Sequence, residues 1–236
     1  MTAENTAQTA TPSPADRVLD AALLHVPFDG WSETTLRAAI TESGVHEALA
    51  RSLFPRGGVD LALAYHRRGD ALMRERLAAT DLAALRYRDR ITTAIRLRLE
   101  LVEDKEAVRR GTTLFALPNH AADGVRAIWG TSDAVWTVLG DTSRDVNWYT
   151  KRATLSAVYS ATVLFWLGDD SPGHQATWDF LDRRIEDVMQ IEKAKAALRE
   201  NPISKALLAG PMKLMEKIRK PDIPDDLPGR MMDRFR

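Results

Sequence analysis

Five histidines, His25, His46, His66, His120 and His174, are the side chains best suited to metal ligation or proton transfer near neutral pH, and they stand on separate stretches of the chain. No H-E-x-x-H or E-x-x-H spacing joins them, and there is no G-x-S-x-G, no Walker loop and no G-x-G-x-x-G; Gly57 and Gly58 lack the strand that a phosphate loop requires. Asp169, Asp170 and His174 come nearest to an acid–base group. They sit beside Ser171 and Pro172, a helix-opening pair, so turn formation accounts for them better than proton transfer. The sequence therefore predicts no catalytic residue, no metal site and no cofactor.

Recognition is the chemistry that the residues do suggest. Asp145, Asn147, Trp148, Tyr149 and Arg152 place two large aromatics among hydrogen-bonding groups within about two helical turns. That composition is enriched in binding surfaces. The same residues also fit a plainer role, with Trp148 and Tyr149 capping a core and Arg152 pairing with Asp145.

The element that must position this cluster is a helix over 145–167. Asp145 or Asn147 can accept from the free N–H groups of its first turn, and Gly168 stops it. From Ala153 to Leu167 it is apolar almost all round, which predicts burial inside more helix. The apolar run is too short for a membrane span of about 20 residues, and it begins beside Lys151 and Arg152.

The remaining elements follow from the same signals. The 236 residues suffice for one large or two small domains. Lysine plus arginine equals aspartate plus glutamate, so no global field draws nucleic acid or lipid. With no cysteine there is no disulfide, thiolate metal site or thiol catalysis, in keeping with a reducing compartment. No early cations precede an apolar stretch, and the first basic residue is Arg17, so neither a secretory signal nor an Arg-rich presequence is expected.

Residues 1–14, rich in Thr, Ala and Pro, predict a disordered tail. Helices are expected over 15–28, ending near Pro27, then from Ser32 to Ser43 and Gly44, from Val45 to Phe54, and from Gly58 through Tyr65 onward as helix over 66–100. Two more are expected over 105–116 and 121–138, and a last long one, opened by Ser171 and Pro172, carries Trp178, Leu181, Ile185 and Val188 as a stripe. The last long helix and the 147–167 helix form an antiparallel pair suited to a core or a dimer interface.

Residues 203–220 differ in kind. Ile203, Leu207, Leu208, Met212, Leu214, Met215 and Ile218 alternate with Lys205, Lys213, Lys217, Arg219 and Lys220 against one acid, Glu216. Such an amphipathic basic segment suits a bilayer interface, apolar side chains among acyl chains and lysines near anionic headgroups. Packing as an ordinary last helix also fits it. Pro211 should kink it, and 221–236 reads as a flexible tail.

Two resemblances sharpen this reading. GWSETTLRAAITESG at 30–44 and GVHEALARSLFP at 44–55 resemble the amino-terminal helix-turn-helix of TetR-type regulators. Arg51, Glu47, Ala48 and Gly57 depart from the DNA-reading pattern, removing phosphate contacts and adding an anion, which argues against nucleic acid. D-x-N-W-Y-T-K-R-A-x-L at 145–155, D-D-S-P at 169–172, T-W-x-F-L-x-R-R at 177–184 and the terminal segment resemble the accessory lipid-binding family of ubiquinone (coenzyme Q) biosynthesis, over about 17–220.

That resemblance implies an all-α, TetR-regulator-like bundle with a degenerate helix-turn-helix over 15–65, a lipid-binding and dimerisation domain over 66–200, and a membrane-binding amphipathic helix over 203–220. It implies a non-catalytic homodimer that holds isoprenoid quinone intermediates or phospholipid at the membrane and presents the quinone to the di-iron demethoxyubiquinone hydroxylase. In a bacterium this would be a cytoplasmic protein at the inner face of the cell membrane. Carried over onto this sequence, the partner-binding residues are Leu97, Asp133, Gly140, Trp148, Tyr149 and Arg152, with Val135 where relatives can carry methionine. The competing reading is a TetR-type transcriptional regulator with a hydrophobic ligand pocket.

Overall fold

A computed structural model describes residues 12–200 and 219–221, and among these the secondary structure is entirely helical. The elements are α1 (Pro14–Asp29), α2 (Glu33–Ser43), α3 (Glu47–Leu53), α4 (Gly58–Ala78), α5 (Tyr87–Glu100), α6 (Lys105–Ala116), α7 (Ala121–Val138), α8 (Val146–Leu167), a 3₁₀ turn (Pro172–His174) and α9 (Gln175–Glu200).

Local chemistry sets most of these boundaries. Ser32 accepts from the Thr35 N–H to open α2, and Gly44, at φ 63°, closes it in the left-handed conformation that side chains resist. Asp145 accepts from the Asn147 N–H to open α8, which ends at Gly168. α1 stops near Pro27, as expected, ending two residues past it at Asp29.

Two cores share the bundle. The first gathers Val18, Leu19, Val26, Trp31, Leu36, Val45, Phe54 and Leu61 from α1 to α4 together with Ala107 of α6. The second gathers Met73, Leu77, Ile95, Leu99, Val135, Trp136, Leu155, Val158, Trp166, Trp178, Leu181 and Ile185 from α4, α5, α7, α8 and α9. α4 belongs to both, and α6 joins the first core through Ala107. Its start is wedged tightly: a Cβ on Gly58 would lie 2.2 Å from the Trp31 carbonyl oxygen. The Trp31 indole N–H in turn donates to the Ala107 carbonyl (3.0 Å), tying α6 to the first core.

Three expectations are corrected. The helix expected over 66–100 breaks at 79–86. There the Thr80 hydroxyl bonds back to the Arg76 carbonyl and Asp81 accepts from the Ala83 N–H, local bonds that compete with helix continuation. α8 is not buried all round: Leu164 and Phe165 are exposed, Phe165 stacking on Phe180 at 4.6 Å. The opening of α9 relies on Asp169 as well as Ser171. Asp169 accepts from the Ser171 and Thr177 N–H groups and from the Thr177 hydroxyl, Ser171 accepts from the Ala176 N–H, and Pro172 leads a 3₁₀ turn. Those bonds, led by the Thr177 hydroxyl's, hold the Asp169 carboxyl well below the usual carboxylate range. Among the described residues no helix is long and apolar enough to cross a membrane.

Candidate functional site

A cavity of about 420 Å³ opens where the two cores meet, walled by α4, α5, α6, α7 and α8. It lies in the range of about 300–1,000 Å³ usual for small-molecule sites. Ala107, Val108, Phe115, Ile128, Val163 and Leu99 make it apolar. Val125 and Leu164 line it while remaining 66% and 61% exposed, which makes them its rim. α6 and α7 meet closely behind it, since a Cβ on Gly124 would stand 2.7 Å from that of Phe115.

One end of the cavity is polar. Arg98, 5% exposed, donates from Nε to Asp70 (2.8 Å) and from Nη2 to the His66 carbonyl (3.2 Å). Its guanidinium lies over Gly69, where a Cβ would come within 2.5 Å of Cζ. The Thr131 hydroxyl donates to Asp70 (3.0 Å), so the 2.8 Å contact from His66 Nε2 to Thr131 makes Nε2 the protonated nitrogen, which also reaches the Ala127 carbonyl at 3.1 Å. Burial lowers the His66 pKa against the pull of Asp70, leaving a neutral ring at pH 7. Burial also raises the Tyr65 and Tyr159 hydroxyl pKa values, so both remain protonated donors.

The second feature is an aromatic patch on α7 and α8, which run antiparallel, with Ser132 against Ser156 at 3.0 Å and Asp133 against Arg152 at 2.6 Å. Trp148 and Tyr149 meet edge to face at 4.8 Å, and Trp129 of α7 lies 6.0 Å from Trp148 and 6.4 Å from Tyr149. All three are half-buried. Trp129 follows Val125 by four residues, one helical turn along the same face, so the patch begins beside the cavity rim.

A charge cluster holds the patch from below. Arg152, 3% exposed, lies 4.1 Å from the centre of the Trp148 ring and donates to Asp133 (2.6 Å), Asp141 (3.0 Å) and the Trp148 carbonyl (3.1 Å). Asp141 also accepts from Lys151 and the Ser143 hydroxyl, both at 2.8 Å. Burial opposes its charge, but these donors outweigh burial and hold the carboxyl well below the usual range. Gly140, at φ 75°, makes the turn that brings Asp141 back under α8. The chain beyond α9 returns here as well: Tyr149 Oη donates to the Arg219 carbonyl (3.3 Å) and the Lys220 N–H to the Arg144 carbonyl (3.0 Å).

A family model described as COQ9 matches residues 121–192, which contain α7, α8 and much of α9. The mitochondrial ubiquinone biosynthesis protein COQ9 of Drosophila melanogaster is 33% identical over 181 residues, 75% of this chain and 55% of that protein. Its Homo sapiens namesake is 30% identical over 186 residues, 74% of this chain and 57% of that protein. The chain belongs to the COQ9 family. It spans little more than half the length of these two relatives. A TetR transcriptional regulator from Nitrosomonas europaea ATCC 19718 shares the fold, with a TM-score of 0.59 at 21% identity over 73% of this chain and 95% of that one.

Within this COQ9-family chain the residues expected to face a partner do not form one surface. Asp133, Trp148, Tyr149 and Arg152 come together, and Gly140 shapes the adjoining turn. Leu97 is half-buried on α5, which packs chiefly against α4 and α9. Val135 is buried in the second core. Arg152 is buried beneath the patch, and its acids are Asp133 and Asp141, not Asp145. Trp129 and Asp141 escaped the sequence reading because nothing local to α7 or its following turn reveals what α8 lays against them. Ile203, Leu207, Leu208, Met212, Lys213, Leu214, Met215, Lys217 and Ile218 lie outside the described residues. On α3, Arg51 pairs with Glu47 at 2.9 Å and Glu33 at 3.0 Å, so the cation of the would-be recognition helix is matched by acids of its own unit.

Proposed function

We propose that this chain serves ubiquinone biosynthesis without catalysing a step, as a lipid-binding accessory protein. It holds an isoprenoid quinone intermediate in the cavity and presents it to the di-iron demethoxyubiquinone hydroxylase, which docks on Trp129, Trp148 and Tyr149. The segment 203–220 rests on the membrane surface, in a bacterium the inner face of the cell membrane, and the protein acts as a homodimer. The observation that carries the reading is the apolar cavity whose rim stands one helical turn from the aromatic patch. Exposing a prenyl chain to water costs about 25 cal/mol per Å². An apolar chamber offsets that cost while the ring changes hands. The self-paired Arg51 weakens the competing regulator reading, since phosphate neutralisation supplies non-specific DNA affinity.

Mass spectrometry of lipid extracted from the purified full chain, together with capture of the hydroxylase by Trp148→Ala and Tyr149→Ala, tests this. The expected result is a copurifying isoprenoid quinone and capture reduced about tenfold or more at an unchanged melting temperature, as for a buried aromatic anchor. Absence of any lipid, or undiminished capture, counts against it.

A further inference from the structure

We infer that the cavity takes its ligand ring first: a neutral, oxygen-bearing six-membered ring, quinone or phenol, lodges against Arg98, Tyr65 and Tyr159, and the apolar chain leaves past Val125 and Leu164. This rests on the reading of the cavity as an isoprenoid quinone site and assigns the orientation within it.

The donors at the polar end are the first ground. Tyr159 is 5% exposed and lines the cavity, yet among the described residues its hydroxyl has no hydrogen-bond partner. The same holds for the Tyr65 hydroxyl and for Nη1 of Arg98, whose other donors are engaged. These three donors line one chamber, and their hydrogen bonds can be received by a ligand with acceptor oxygens. Quinone carbonyls and phenolic oxygens supply these; an all-hydrocarbon tail supplies none.

Charge decides between a ring and an acid. Among the described residues Arg98 is the one formally charged residue in the cavity wall, and Asp70 at 2.8 Å already neutralises it. A carboxylate or phosphate entering here would bring an uncompensated charge into an apolar chamber, which is strongly unfavourable. A neutral oxygenated ring brings no such charge.

Size then limits what enters. At about 420 Å³, toward the lower end of the range of about 300–1,000 Å³ usual for small-molecule sites, the cavity suits a substituted ring with a short length of chain. The remainder of a polyprenyl tail has to stay outside. The exposed apolar rim at Val125 and Leu164 is where it emerges, leaving the tail in a bilayer while the ring is sheltered or handed on.

The test uses the full chain and two probes in calorimetric titration: a dimethoxy-methyl-benzoquinone bearing a decyl chain, and decylbenzene, which keeps ring and chain but lacks oxygen. Palmitate serves as the anionic comparison. The variants Tyr159→Phe and Tyr65→Phe keep ring packing, and their thermal melts verify the fold. Each hydroxyl removed should weaken quinone binding about 3- to 10-fold, the effect of one neutral hydrogen bond, with decylbenzene affinity unchanged. Equal quinone affinity in wild type and the doubly substituted chain, or palmitate binding more tightly than the quinone, overturns the ring-first orientation while leaving a lipid site intact. Binding of none of the probes overturns the cavity reading itself, and this inference with it.

Discussion

Replacing Arg152 by methionine should remove about 3 kcal/mol of stability at pH 7. Arg152 and Asp141 are 3% and 2% exposed and meet at 3.0 Å, and breaking a buried pair by deleting one partner costs about 3–5 kcal/mol. The lower end applies because Asp141 keeps Lys151 and Ser143. The pair with Asp133, 46% exposed, is screened and adds at most about 1 kcal/mol, and losing the guanidinium over Trp148 adds a similar amount. Methionine restores some of the lost packing. For a chain of this size about 3 kcal/mol corresponds to a fall in Tm of roughly 6–12 °C, read by thermal melting beside urea unfolding.

The sign with pH is fixed by Asp141. Its carboxyl is held below the ordinary range, so its stabilisation is complete above an unfolded-state pKa of about 3.9. That stabilisation fades as the pH falls from there toward the folded value. The gap between wild type and Arg152→Met should therefore be full at pH 7 and narrow as the pH drops below about 4. A loss under about 1 kcal/mol at pH 7, well short of a broken buried pair, or a gap as wide in acid as at neutrality, refutes the assignment of Arg152 as the buried support of the patch.

Gly58→Ala should destabilise the chain by about 1–3 kcal/mol through overpacking, although alanine favours helix by about 1, because the new Cβ meets the Trp31 backbone at 2.2 Å. Urea unfolding decides it, and an alanine chain as stable as the glycine one contradicts the close approach. Asp169→Ala should lower Tm and speed amide exchange at the start of α9 by releasing the Ser171 and Thr177 N–H groups. Unchanged exchange at Thr177 would remove Asp169 as its cap.

Ser32, Gly44, Asp145 and Gly168 were legible as helix boundaries because capping acts over a few neighbouring residues. The stripe of Trp178, Leu181 and Ile185 was legible for a related reason: a helix repeats every 3.6 residues, so spacing alone selects the face that ends in the core. The break after Ala78 was missed although Thr80 and Asp81 signalled it. The apolar periodicity of 66–100 outweighed two polar residues whose backbone bonds decided the matter.

The sequence by itself determined most helix boundaries, the buried stripe of α9, and that Trp148 and Tyr149 stand near a helix entrance, since all of these follow from interactions within about one turn. Tertiary structure alone decided that Arg152 turns under the patch to Asp133 and Asp141, that Trp129 completes the aromatic surface, and that Arg98, Tyr65 and Tyr159 face one chamber. These depend on how far each helix slides and rotates against its neighbour. A cavity between two cores is the space left after that packing is settled, and no spacing along a single helix encodes it.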